Sequence, residues 1–206
     1  IKGLTVLLLI GLLVAAGCAR SPEAKKARHL ERGDRYFSRQ QYREAVIEYR
    51  NVLQLEGTNA HAIRQLGLAH YQLGELGHAL RYLLKSQELE PDNAAVRLKL
   101  GTIYLLGRQP EKAREQVGFV LKKEPKNLEA LGLLAGAATT PQDIDATVRR
   151  LEEARADLGD KAKFHLALGT LYVRQRNVAG AERAFKEAVA AEPTSVDAHT
   201  ALGDFY

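Results

Sequence analysis

The sequence predicts an all-α protein, a solenoid of antiparallel helix pairs, on three observations. Ala, Leu, Glu, Arg and Lys dominate its 206 residues, and β-branched residues never alternate with polar ones over a useful length, which argues against strands. Small residues recur in register: Gly33, Gly67, Gly101, Gly169 and Gly203 lie 34 or 68 residues apart, and Ala45, Ala79, Ala113 and Ala181 follow twelve residues later. Pro91, Pro125 and Pro193 close their units a further twelve residues on. A fixed period of this length marks a helical-repeat array, in which each helix pair buries its apolar face only by stacking on its neighbours. With 46% hydrophobic and 27% charged residues the chain has enough apolar material for such a core.

Taken in order, the chain opens with Lys2, an apolar run from Leu4 to Val14 and then Ala15-Ala16-Gly17-Cys18. This is the charged, apolar and small-residue order of an export signal, and the run is too short to span a bilayer well. It resembles a bacterial lipoprotein signal, in which small residues precede an obligatory cysteine; Ala15 stands where leucine is commonest. The resemblance implies that residues 1–17 are a signal peptide and that Cys18 is lipidated and becomes the mature N-terminus. An ordinary secretory signal with an incidental cysteine is the alternative. As the single cysteine, Cys18 permits no intrachain disulfide and no Cys-based metal site. Residues 18–25 are assigned to the lipidated Cys18 and a short tether, within which Ser21-Pro22, a serine N-cap followed by a first-position proline, signals a helix start.

The repeats then run 26–59, 60–93, 94–127, 128–161 and 162–195, with 196–206 as the start of a sixth. Asn59, Asn93 and Asn127 each precede a new first helix, where a side-chain oxygen can cap free backbone N–H groups. The fourth unit keeps its length and loses its residues, with Ala135 for the glycine, Ala138 for the aromatic, Thr147 for the alanine and Gly159 for the proline. Thr140-Pro141-Gln142-Asp143 predicts an early start for its second helix, hence a short first helix and a long second one. Gly132, Gly136 and Thr139 add little bulk to that first helix, and the sequence predicts a shallow or bent groove there. The absence of any methionine at the start, and an end at Tyr206 in mid-repeat, predict a longer gene product.

With Leu66-Gly67, Leu100-Gly101 and Leu168-Gly169 in matching places, aromatic residues at Tyr36, Tyr104 and Tyr172, and His70 at the aromatic place of the second unit, the array resembles the tetratricopeptide repeat. The resemblance implies a right-handed α-solenoid whose first helices, called A, line a concave groove for a peptide or an amphipathic helix of a partner protein. Carried over residue by residue, the groove positions are Leu30, Asp34 and Phe37, then Arg64, Leu68 and Tyr71, then Leu98, Thr102, Leu105 and Leu106, and last Leu166, Thr170 and Val173. Asp34 and Leu68 stand where the carboxylate clamp of chaperone-binding members needs asparagine, which argues against that specificity.

Other chemistry finds little support. A net charge of +5 from 30 basic and 25 acidic residues reads as a mixed solvated surface, so no nucleic-acid partner is expected. The basic residues of the first helix, among them Lys25, Arg28, Arg32 and Arg35, are interrupted by acids, which favours a solvated face over a headgroup-binding one. No two of the six histidines have the i,i+4 spacing that would place both imidazoles on one helical face, and no nucleophile, phosphate-loop or dinucleotide motif is present. The expectation is therefore a non-enzymatic scaffold without metal, cofactor or small-molecule substrate. It is anchored to the membrane through Cys18, faces the periplasm at the outer membrane, and is similar to tetratricopeptide lipoproteins of exopolysaccharide export with PEP-CTERM sorting or of type IV pilus assembly. A structural subunit stacking end to end into a filament or coat is the alternative.

Overall fold

A computed structural model describes residues 21–206; the expected signal segment 1–17, the expected lipidation site Cys18 and the first residues of the expected tether lie outside the described residues. The described chain is all helical: α1 (Pro22–Ser38), α2 (Tyr42–Leu55), α3 (Ala60–Gln72), α4 (Leu76–Leu89), α5 (Ala94–Leu106), α6 (Pro110–Lys123), α7 (Leu128–Ala137), α8 (Pro141–Leu158), α9 (Ala162–Arg174), α10 (Val178–Ala191) and α11 (Val196–Phe205). They divide into two compact units, the first ending at Asp92 with α1 to α4, the second from Asn93 with α5 to α11. None of the described helices is long and apolar enough to cross a membrane.

The period is written into the helix ends. Ser21, Asn59, Asn93, Asn127 and Ser195 each accept the backbone N–H of the third residue on, satisfying a donor that the helix itself leaves free. Between the helices of a pair the chain turns through a left-handed residue at Gln40 and Gly74 in the first unit and at Arg108 and Arg176 in the second. Three of the four are not glycine, so each carries the steric cost of a Cβ in that region. Arg176→Gly is accordingly expected to raise stability by about 0.5–1 kcal/mol, the relieved strain exceeding the extra freedom of the unfolded chain. Urea melts of the two proteins check it.

Within each of these pairs the signature glycine of the first helix, A, lies under the residue sixteen positions later on the second helix, B. A Cβ on Gly33 would stand 2.6 Å from Tyr49 Cε1, on Gly67 2.8 Å from Leu83 Cδ2, on Gly101 3.2 Å from Val117 Cγ1 and on Gly169 2.4 Å from Phe185 Cε1. Glycine is thus what lets the helix axes close and the large B-helix side chain reach the core. The first unit buries Tyr49, Val52, Ala62 and Leu66; the second buries Leu131, Leu151, Phe164, Leu168 and Leu171. In the fourth repeat Ala135 and Leu151 hold the corresponding places in that core, both buried.

The fourth repeat redistributes its length between the two helices. α7 has 10 residues where α5 and α9 have 13, and α8 has 18 where α6 and α10 have 14. Thr140 produces the early start: its hydroxyl oxygen receives the Asp143 N–H at 3.2 Å and donates to the Asp143 carboxylate at 2.7 Å, while Arg114 pairs with that same carboxylate. The truncated end of α7 is closed from outside. Arg174, at the end of α9, points its Nη1 at the carbonyls of Ala135 and Ala138, both at 2.8 Å, and of Gly136 at 3.3 Å. A guanidinium there satisfies carbonyls that the missing turn would have used and complements the negative end of the helix.

Candidate partner-binding face

In the first unit the helix-A residues Leu30, Asp34, Phe37, Arg64, Leu68 and Tyr71 are all half-buried. The two charged ones already have partners. Asp34 accepts from the Tyr49 hydroxyl at 2.7 Å and from His61 Nε2 at 2.7 Å; Arg64 donates to His61 Nδ1 at 3.2 Å and pairs with Glu90. This order fixes the His61 tautomer, with its proton on Nε2. Burial, and next the Asp34 carboxylate, push the Tyr49 phenol well above its ordinary range, so its proton stays in place as the donor. The tetratricopeptide resemblance assigned Asp34 and Arg64 to a groove; in the fold Asp34 ties α1 to α2 and α3, and Arg64 ties α3 to Glu90 at the end of α4. Three basic residues of α1 are similarly occupied, Lys26 by Glu56, Arg32 by Glu48 and Arg35 by Glu31.

His70, in the aromatic place of the second repeat, is buried and stacks on His78 and Tyr82 with centroids 5.0 and 5.6 Å away. Its Nδ1 meets Glu75 at 2.5 Å, and its Nε2 is buried without a hydrogen bond. Burial holds the imidazole below the usual histidine range, with the neighbouring His78 and Arg50 adding to that and Glu75 opposing it. The folded state therefore prefers neutral His70. Stability from this site is full above the unfolded value of 6.5 and is lost as pH falls below it towards the lower folded value. His70→Phe, which keeps the aromatic stack and removes the titrating group, should flatten the stability profile between pH 7 and about 5. An unchanged slope in urea melts at the two pH values would contradict this.

The second unit presents α5, α7, α9 and α11. Leu98, expected in the groove, is buried at 6% exposure because it packs into the core with Leu131 and Ala135, and it is withdrawn from the face. Thr102 and Thr170 bend their hydroxyls back onto the carbonyls of Leu98 and Leu166, at 3.0 and 2.9 Å, so their methyl groups carry the apolar character outward. Leu105 is half-buried, lying where a Cβ on Gly136 would approach its Cδ1 at 3.0 Å; Leu106 and Val173 are exposed, and Leu166 is half-buried.

Between these residues the fourth repeat opens a hollow of about 370 Å³. Gly132, Leu133 and Gly136 of α7 form one wall, and Leu166, Ala167 and Thr170 of α9 the other, while Glu129, Lys163 and Asp197 stand among its lining residues. The face at this repeat, expected to be shallow or bent, holds this recess, and Gly132 and Gly136 contribute no side chain to it. A Cβ built on Gly132 meets no atom within 4 Å. Residues 128–136 were not assigned to the groove from sequence because the signature is lost there, yet Gly132 and Gly136 fall 34 residues after Leu98 and Thr102, a signal that was present in the period.

The arrangement is an apolar strip of side chains and methyl groups on one set of helices, with few uncommitted polar groups. Among the described residues no three His, Cys, Asp or Glu side chains are placed to hold a metal ion. Such a surface recognises protein segments through shape and apolar contact, and it defines an α-solenoid scaffold for protein interaction.

The comparisons with known proteins specify the repeat. Models of the tetratricopeptide repeat match residues 33–74, 60–93 and 166–206, and the chain carries tetratricopeptide repeats. Among solved structures, a tetratricopeptide repeat protein from Parabacteroides merdae superposes with a TM-score of 0.76 at 16% identity, covering 89% of this chain and 73% of that one. MamA from Desulfovibrio magneticus gives 0.73 at 20% identity, covering 84% and 97%. YrrB, described as a TPR protein with an unusual peptide-binding site, gives 0.70 at 17% identity, covering 84% and 89%. Among curated proteins, Hsp70-Hsp90 organizing protein 3 of Arabidopsis thaliana is 30% identical over 101 residues, which is 49% of this chain and 18% of that protein. The RNA polymerase-associated protein CTR9 of Saccharomyces cerevisiae is 31% identical over 155 residues, 69% of this chain and 14% of that protein. The chain thus spans less than a quarter of these curated relatives.

Proposed function

We propose that this chain is a non-enzymatic adaptor of the bacterial cell envelope, lipidated on Cys18, held at the periplasmic face of the outer membrane and binding a partner protein on its helix-A face. The observation that carries the adaptor reading is the hollow in the second unit, an apolar recess lined by α7 and α9 that the packing of the chain leaves open. The peptide-binding site of YrrB, a protein of similar fold, supports a peptide as occupant. The anchor rests on the order Lys2, apolar run, Ala15-Ala16-Gly17-Cys18, and the short link to α1 would keep the first repeat beside the bilayer. The role that agrees with both is assembly or export across the envelope.

Two measurements test the proposal separately. Mass spectrometry of the mature protein should find Cys18 as an acylated first residue; an unmodified N-terminus elsewhere refutes the anchor. Affinity capture from envelope extracts should recover a partner that Leu105→Asp releases. Recovery of the same proteins with and without that substitution counts against binding on the helix-A face.

A further inference from the structure

We infer that the hollow over Gly132 receives one large apolar side chain of a partner peptide whose neighbouring residues carry an acidic group for Lys163 and a basic group for Asp197. The inference rests on the adaptor reading and adds to it the chemistry of the occupant.

Charge and register support it. Glu129, Lys163 and Asp197 hold the same position of three successive repeats, 34 residues apart, and all three line the hollow. Glu129 is neutralised from the first helix of the preceding repeat by Lys99, thirty residues earlier, at 2.8 Å. The residues thirty positions before Lys163 and Asp197 are Leu133 and Ala167, which are apolar and line the same recess. The repeat geometry that pairs Glu129 therefore offers Lys163 and Asp197 no partner, and among the described residues neither side chain has an ion pair or hydrogen bond. A cation on α9 and an anion on α11 thus border an apolar recess in which Gly132 contributes no side chain. Packed helix axes lie about 8–10 Å apart, a distance that an extended peptide covers in about three residues. The complementary segment is consequently short: an acid, a bulky apolar residue and a base, with the acid on the α9 side.

The test uses fluorescein-labelled nonapeptides in a Gly-Ser background with a central Phe flanked by Glu and Lys, by two Glu, by two Lys, or with Ala for Phe in the Glu/Lys peptide. Fluorescence polarisation with the full chain should favour the Glu/Lys peptide with Phe, by about 10-fold over the others. Lys163→Asp should transfer the preference to the two-Lys peptide and Asp197→Lys to the two-Glu peptide. Gly132→Leu, which fills the recess, should abolish binding while the helical melt is retained. The charge exchanges gain binding for a new peptide, so loss of fold cannot imitate them. Equal affinities for all peptides, or no binding of any, overturn the inference; the adaptor reading then stands or falls on whether Leu105→Asp still releases the captured envelope partner. A dimer in sedimentation that Gly132→Leu dissociates would make a second copy the occupant and overturn it as well.

Discussion

Gly169→Ala is expected to lower stability by about 2–3 kcal/mol, although alanine is the better helix former by about 1 kcal/mol. The new methyl would stand 2.4, 2.6 and 2.8 Å from Cε1, Cδ1 and Cζ of Phe185, a buried ring of α10 that packs against Phe205 of α11. The buried ring has to shift to admit the methyl, and interiors at crystalline density resist such shifts. Gly203 holds the same register position and has no atom within 4 Å of a built Cβ, so Gly203→Ala should instead gain up to about 1 kcal/mol. Urea melts of the two variants therefore move in opposite directions. A shift of the same sign in both would show that the period reflects helix propensity and not close approach.

Arg174→Met should cost about 2 kcal/mol, the second largest effect anticipated. Methionine keeps most of the apolar stem and removes the donors that reach Ala135, Gly136 and Ala138. Ala135 and Ala138 are almost fully buried, so water replaces the guanidinium poorly at those carbonyls. The loss should be local: amide exchange should accelerate in 128–138 while α10 keeps its protection. Because α7 forms one wall of the recess, the same variant should weaken partner binding without touching a rim charge.

The fold was largely legible because close approach leaves a mark in composition. A Cβ in place of hydrogen under Tyr49, Leu83 or Phe185 would come within 3 Å of the facing side chain, so the period survives in the residues themselves. The helix lengths of the fourth repeat were legible for a similar reason, since Thr140-Pro141 starts a helix by local chemistry alone. The binding face was legible only in part. Register places a residue on the helix-A side, but whether it is displayed depends on contacts with other helices and with helix ends, as with Leu98 packed in the core with Leu131 and Ala135 or Arg64 tied to His61 and Glu90. The recess lay deeper still in the tertiary structure. Empty space at Gly132 is a property of what surrounding helices fail to fill, and loss of the signature there pointed to the altered repeat without saying that it was open.

The central claim, that the helix-A face of the second unit is where a partner binds, is tested most directly by placing a photo-crosslinking amino acid at Thr170, in the recess, and at Arg149, exposed on α8 away from it. The account predicts a discrete adduct in cells from position 170 that Gly132→Leu eliminates, and none from 149. Adducts of equal yield from both positions, or one at 170 indifferent to Gly132→Leu, would contradict it.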